Sequence, residues 1–282
     1  MTYTRLAIMQ GRLTPPSMDR IQSFPVAGWQ AEFGAAATLG LAAIELIYEK
    51  QGLSDNPLAT TSGCALLSDI LAKTGTNVRS VCFDRLLEDP IVKLGAVEQN
   101  RLLEEVVSVS ERASVLGVSR AVLPFVDASR IVDERDWNVA SEWITTCAEE
   151  LRALSIEIHL ETDLAPEFFA EFLQEFDPTS VFVNYDTGNS ASLGYSVDSE
   201  FDAYGQSIGS VHIKDRVRGG GSVPLGHGDA QISRCLERLA GISYSGDFVL
   251  QLARGVVGDE VAWVDTQISS VRNLAIEAGI SL

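Results

Sequence analysis

Apolar positions along the chain fall into two kinds of segment that alternate from end to end. Short runs rich in β-branched residues recur at Arg5–Met9, Ala43–Leu46, Ser80–Phe83, Arg120–Pro124, Ile156–Leu160, Val181–Tyr185, Ser210–Ile213 and Phe248–Leu252, and they read as strands. Between them lie segments of helical period, such as Trp29–Leu39, Val97–Leu116, Trp137–Leu154 and Pro166–Phe176. Two of these helices stop at a glycine followed at once by the next strand, as in Leu39-Gly40-Leu41 and Leu116-Gly117-Val118. Glycine there suits a left-handed cap. Eight strands with interleaved helices in 282 residues predict an α/β fold, a single (β/α)8 TIM barrel spanning residues 1–282, in preference to an open doubly wound sheet. No G-x-G-x-x-G follows the first strand, which counts against dinucleotide binding.

Four strands end in groups that can hold a cation: Glu161 after IEIHL, Asp186 after VFVNY, His212 in SVHIKDR and Gln251 after FVL. Each interval between them is long enough for a helix and two loops. Parallel strands joined by helices bring such ends to one face of a barrel, where active sites of this architecture lie. Each residue has a plainer reading alone: Glu161 as a solvated carboxylate, Asp186 as an Asx-turn or N-cap, His212 as a satisfied core histidine. Their shared structural position argues for a set. Two carboxylates, an imidazole and an amide oxygen suit one divalent metal ion, Mn²⁺ first, with Mg²⁺, Co²⁺ or Zn²⁺ as alternatives. Such an ion can polarise a sugar carbonyl and acidify the adjacent C–H.

A second constellation is HIKDRVRGGGSVPLGHGD. Lys214, Arg216 and Arg218 stand beside Gly219-Gly220-Gly221, whose amides are expected to form an anion nest. Arg254 from the following loop and Arg12 from the first would join them at one rim. The alternative is a solvated loop with ordinary surface charge. Asp215 is expected to pair with these cations, and His227 is a candidate proton shuttle. Gln10 and Glu45 end the first two strands and would line the pocket or plug it. Trp29, Trp137 and Trp263 read as outer packing, and Glu104-Glu105 as a solvated helix face.

Composition narrows the partners. A net charge of −18 argues against nucleic acid, since phosphate backbones want a basic surface. Cys64, Cys82, Cys147 and Cys235 are scattered and read as buried reduced thiols. No segment approaches a membrane span, and the N-terminal apolar stretch is too short for a signal peptide. The expectation is a cytoplasmic protein with a small-molecule partner, no nucleic acid and no membrane; a homo-oligomer is left open.

These motifs resemble the xylose isomerase-like barrel superfamily, in its sugar phosphate isomerase/epimerase branch, related by fold to endonuclease IV. The resemblance runs through IMQGRL, IELIYE, HLETD, NYDTGN, VHIKDR, PLGHGD and FVLQLAR, nearly the whole chain. In the ketose 3-epimerases of that superfamily, Glu, Asp, His and Glu from strands five to eight hold one metal. Both glutamates act as acid and base on opposite faces of the substrate. The resemblance implies Glu161, Asp186 and His212 as ligands, with Glu161 also a base. It places Gln251 as the fourth ligand, Asn189 where the family has a substrate-contacting histidine, and Arg218 at the family's arginine.

Gln251 can coordinate through its amide oxygen but cannot accept a proton. One base, Glu161, still suffices for aldose–ketose isomerisation on a single face. Epimerisation needs another acid, with Lys214, His227 or a bound water as candidates. The expected function is a divalent-metal-dependent isomerase or epimerase acting on a sugar, sugar phosphate or keto-polyol through an enediolate. The alternatives are a metal-assisted dehydratase or lyase, or a non-catalytic sugar-binding barrel. DNA hydrolysis on a histidine-rich zinc cluster is disfavoured, because the chain has only His159, His212 and His227.

Overall fold

The computed structural model describes residues 5–17 and 20–282. Eight parallel strands close into a barrel among these residues. They are β1 (Arg5–Met9), β2 (Ala43–Ile47), β3 (Asn77–Cys82), β4 (Arg120–Phe125), β5 (Glu157–Thr162), β6 (Val181–Asp186), β7 (Ile208–Ile213) and β8 (Asp247–Leu250). β8 closes the ring by pairing with β1 from Arg5–Asp247 to Ile8–Leu250. A two-stranded antiparallel ribbon, Asp215–Arg216 with Ser222–Val223, projects beyond β7. The strands agree with the sequence expectation to within three residues at each end. Helices Thr61–Thr74 and Glu260–Glu277 complete the outer layer in stretches where no helical period had been read.

Local chemistry fixes the ends of these elements. Thr60 caps Thr61–Thr74 by accepting from the Gly63 amide, and Asp133 caps Glu134–Arg152 by accepting from Asp136; each satisfies an amide the helix itself cannot. The strands bury an apolar layer (Ile44, Leu46, Leu123, Leu160, Val211, Phe248) with helix residues such as Phe33, Val106, Ile144, Phe172, Leu236 and Ile268. Each fully buried side chain of this size contributes roughly 1.5–3 kcal/mol. All four cysteines are free and buried.

Residues two apart on a strand share a face, so Glu157, His159 and Glu161 of β5 line up, as do Asn184 and Asp186 of β6 and Ser210 and His212 of β7. His159 lies one step deeper than Glu161 on the same face, with Nδ1 2.8 Å from the Ser210 hydroxyl. That hydroxyl donates to Asn184 Oδ1 at 2.6 Å. A polar column therefore runs through the barrel interior and ends on Glu161.

At the N-terminal ends of the strands, Asp247 is fully buried and takes three guanidinium groups. Arg5 Nε and Arg79 Nη1 reach one oxygen at 2.9 and 3.0 Å, and Arg120 Nη2 reaches the other at 2.5 Å. Burial works against the carboxylate charge, but Arg120, Arg79 and Arg5 outweigh it and hold the Asp247 pKa below the ordinary range.

Candidate metal centre

At the opposite end of the barrel three strand ends converge. Glu161 ends β5, Asp186 ends β6 and His212 lies in β7, all three buried. Each offers one ligand atom such that all lie within 4.8 Å of one another. Asp186 is both a cap and a candidate ligand. Its Oδ1 accepts from the Gly188 and Asn189 amides at 2.9 and 2.8 Å, starting helix Thr187–Leu193. Its Oδ2 faces His212 Nδ1 at 3.9 Å and Lys214 Nζ at 3.4 Å.

His212 is held from below by Glu45, whose Oε1 lies 2.7 Å from Nε2, while Nδ1 faces Glu161 Oε2 at 3.4 Å. Burial alone would lower the imidazole pKa, but Glu45 and Glu161 reverse this and raise it to about 10. Glu45 is itself held below the ordinary carboxylate range, the His212 charge outweighing its burial. The pairing orients the ring with Nδ1 towards the carboxylates, the arrangement that second-sphere carboxylates impose on metal-binding histidines.

Gln251 supplies the test of whether a divalent ion fits. Its Nε2 donates to Gln22 Oε1 at 2.7 Å, which fixes the amide. Among the described residues its buried Oε1 has no hydrogen-bond partner. A buried amide oxygen without a donor is costly, and a cation would satisfy it. Together with two carboxylates and one imidazole this is an oxygen-rich donor set suited to a hard divalent ion. The residues fit.

Over this centre opens a cavity of about 440 Å³, walled by Arg12, Arg20, Gln22, Asp84, Glu161, Asn189, Lys214, Arg216 and Gln251, among others. Asn189 is its organiser. Its Nδ2 donates to Glu161 Oε1 at 2.5 Å, and its Oδ1 accepts from Lys214 Nζ and Arg216 Nη1 at 3.2 and 2.8 Å. Gly188 permits this approach, because a Cβ there would stand 2.7 Å from Lys214 Cγ and 3.1 Å from Arg216 Cγ. Arg12 is almost wholly buried and bonds Leu252 O, Ile21 O and Gln22 Oε1. Burial, aided by Arg254, pulls its pKa down to about 9.

Several residues singled out in the sequence stand elsewhere. Arg218 is exposed and lies against Gly194, on the far side of the ribbon; Arg216, two residues earlier, takes the cavity position. Arg254 bonds the Ile21, Gly11 and Thr14 carbonyls and so ties the first loop down. His227 is exposed outside the cavity wall. Gln10 is buried, its Oε1 accepting from the Ile47 amide, and Glu45 lies beneath His212 instead of lining the pocket.

The triple glycine is no anion nest. The Gly219 and Gly220 amides already bond Ser192 O and Val217 O, and the Gly220 carbonyl points at Arg216, accepting from Nε and Nη2. Among the described residues Asp215 pairs with no arginine; it accepts from the Gly226, Gly228 and Ala230 amides and folds the GHGD loop. Glu105, expected to be solvated, accepts from Tyr48 and Arg85.

Asp84, Gln22, Arg20 and Asn184 are site residues the sequence reading passed over. Asp84 carried the one available signal, a carboxylate just past a strand end.

A closed parallel barrel with a Glu–Asp–His cluster at the strand ends defines the class, and the chain belongs to the xylose isomerase-like TIM barrel family, whose model matches residues 33–274. Solved structures agree in fold. A D-psicose 3-epimerase from Clostridium cellulolyticum H10, solved with D-tagatose, is 15% identical with a TM-score of 0.74, covering 98% of this chain and 100% of the other. A D-allulose 3-epimerase from Methylomonas sp., solved with D-allulose, is 15% identical with a TM-score of 0.75, covering 97% and 98%. The IOLI protein, solved with a bound zinc atom, is 16% identical with a TM-score of 0.71, covering 98% of each chain. No curated protein matches the chain in sequence. Among the described residues no helix is long and apolar enough to cross a membrane.

Proposed function

We propose that the protein is a divalent-metal-dependent isomerase or epimerase of a sugar or sugar phosphate. The observation that carries this reading is the convergence of Glu161, Asp186 and His212 beneath a polar cavity, with the partnerless Gln251 oxygen beside it. These four residues would hold the ion, Mn²⁺ being the best match to the donors. A divalent ion there supplies positive charge beside the oxygens of a bound sugar and acidifies the adjoining C–H. The family membership and the sugar-bound epimerase structures support the same substrate class.

The chain's own groups perform the proton chemistry. Glu161 is the base: it sits at the cavity wall, oriented by Asn184 Nδ2 at 2.8 Å on one oxygen and by Asn189 on the other. It takes the proton next to the carbonyl, leaving an enediolate. Lys214 and Arg216 stand on the same wall to balance the charge that develops on the substrate oxygens. Arg12 and Arg20 also line the cavity and suit an oxygen-rich or phosphorylated substrate.

The test is Mn²⁺-loaded protein incubated with D-fructose, D-tagatose, D-allulose and their phosphate esters in heavy water. The expected result is deuterium uptake next to the carbonyl of at least one sugar, abolished by Glu161→Gln. No uptake by wild type on any of them contradicts the proposal.

A further inference from the structure

Gln251 cannot take a proton, so a family member that inverts a carbon must find its second acid–base group elsewhere. We propose that Asp84 is that group: it protonates, from the other side, the carbon that Glu161 deprotonates. This rests on the isomerase/epimerase reading and commits the enzyme to epimerisation.

Asp84 lies two residues past the end of β3, is 7% exposed and lines the same cavity as Glu161. The two carboxyl groups are anchored by different partners. Glu161 is held by Asn184 and Asn189; Asp84 Oδ2 accepts from Gln22 Nε2 at 2.7 Å, a residue of the loop after β1. Gln22 Oε1 in turn accepts from Gln251 Nε2 at 2.7 Å and Arg12 Nη2 at 3.1 Å. One side chain thus links the strand-end amide that cannot carry a proton to a carboxyl group that can.

The other oxygen of Asp84 meets only the Cys82 thiol, at 3.2 Å among the described contacts, and a thiol is a weak donor. No arginine or lysine among the described residues lies within ion-pair distance of Asp84, unlike Asp247 with three such partners. A buried carboxyl group without a counter-ion favours its neutral form. Burial raises the Asp84 pKa, outweighing the hydrogen bonds from Gln22 and Cys82 that favour the carboxylate. Two carboxyl groups in one cavity, each held by its own amide partners, are the parts that two-sided proton transfer requires.

The step balances without a redox partner. Glu161 removes the proton, and the C–H electron pair becomes the carbon–carbon double bond of the enediolate as the carbonyl oxygen takes the charge. The Asp84 carboxylic acid then gives its proton to the same carbon from the opposite side. The double-bond pair forms the new C–H bond, and the carbonyl returns with the carbon inverted. Glu161 ends protonated and Asp84 ionised, and exchange with solvent resets both.

D-Fructose and D-allulose, which differ only at C3, are the probes, with full-length Mn²⁺-loaded wild type, Asp84→Asn and Asp84→Glu in heavy water. NMR reads both the inverted product and the deuterium in recovered starting sugar. In Asp84→Asn, inversion should fall by about 10²-fold or more, the worth of one acid–base group. Deuterium should still enter the recovered sugar at C3 through Glu161. Asp84→Glu, which keeps the carboxyl group, should restore part of the inversion, and unchanged metal content and thermal midpoint establish that both variants fold. Inversion by Asp84→Asn at the wild-type rate overturns the assignment, as does wild type that exchanges deuterium but never inverts. Wild type with no exchange at all removes the underlying reading as well.

Discussion

The two ends of the barrel use the same charged residue types to opposite effect. At the N-terminal end Asp247 is buried beneath Arg5, Arg79 and Arg120, with both carboxylate oxygens engaged. At the C-terminal end Glu45, Glu161 and Asp186 crowd around one imidazole and one lysine, and among the described residues the Gln251 oxygen has no hydrogen-bond partner. A fully compensated cluster is a device for stability. An under-compensated one has room for a cation and for protons in transit. The balance of charge, more than its presence, separates scaffold from site.

The largest expected effect at the C-terminal end comes from Glu161→Gln. Loss of the base should cut proton exchange by about 10²- to 10⁴-fold, while the denaturation midpoint stays near wild type. Exchange at the wild-type rate would place the base elsewhere. At the other end, Asp247→Asn leaves three arginines facing one another. It should cost about 3 kcal/mol in denaturant unfolding while leaving metal affinity nearly unchanged. The Asp247 pKa is depressed in the fold, so its contribution is present above the unfolded value and is lost as pH falls through the folded one. The variant should therefore lose less further stability on acidification than wild type does. A shared loss of stability and metal affinity would show that the two ends are not independent.

Glu45→Gln should be intermediate, lowering metal affinity by about 10- to 100-fold through misorientation of His212. The His212 pKa of about 10 also sets a sign. A raised histidine stabilises the metal-free fold below its unfolded pKa of about 6.5, and that contribution fades as pH rises towards 10. An ion must displace the same proton, so metal affinity should rise with pH over that range, as titration calorimetry at several pH values can measure. Glu45→Gln should flatten both dependences. The smallest effect belongs to Arg218→Ala and His227→Ala, exposed and outside the cavity, with exchange rates within about two-fold of wild type and stability within about 0.5 kcal/mol.

What the sequence disclosed follows from what each pattern encodes. Strand periodicity places residues at strand ends and assigns their face, so the barrel and the positions of Glu161, Asp186, His212 and Gln251 could be read from one chain. Side-chain partners across the barrel carry no such period. Glu45 was read as lining the pocket or plugging it because it sits at a strand end; its pairing with His212, which makes it the plug, joins β2 to β7, and no local pattern records that. Both Arg216 and Arg218 were expected at the rim, Arg218 by the resemblance, but the ribbon Asp215–Arg216/Ser222–Val223 turns the chain so that Arg216 reaches Asn189 and Arg218 is exposed. The glycine run suggested amides aimed at an anion, whereas those amides close turns and their carbonyl binds Arg216. Asp84 was overlooked because it lies in the loop two residues past β3, beyond the periodic run that marks a strand end.

The most direct test is a Mn²⁺ titration of wild type, Asp186→Ala and His212→Ala, read by calorimetry and by elemental analysis after buffer exchange. The account predicts a single tightly held ion per wild-type chain and a loss in each variant larger than the roughly 100-fold ceiling of a second-sphere change, with circular dichroism unchanged. Full occupancy in both variants, or no ion bound by wild type, would contradict it.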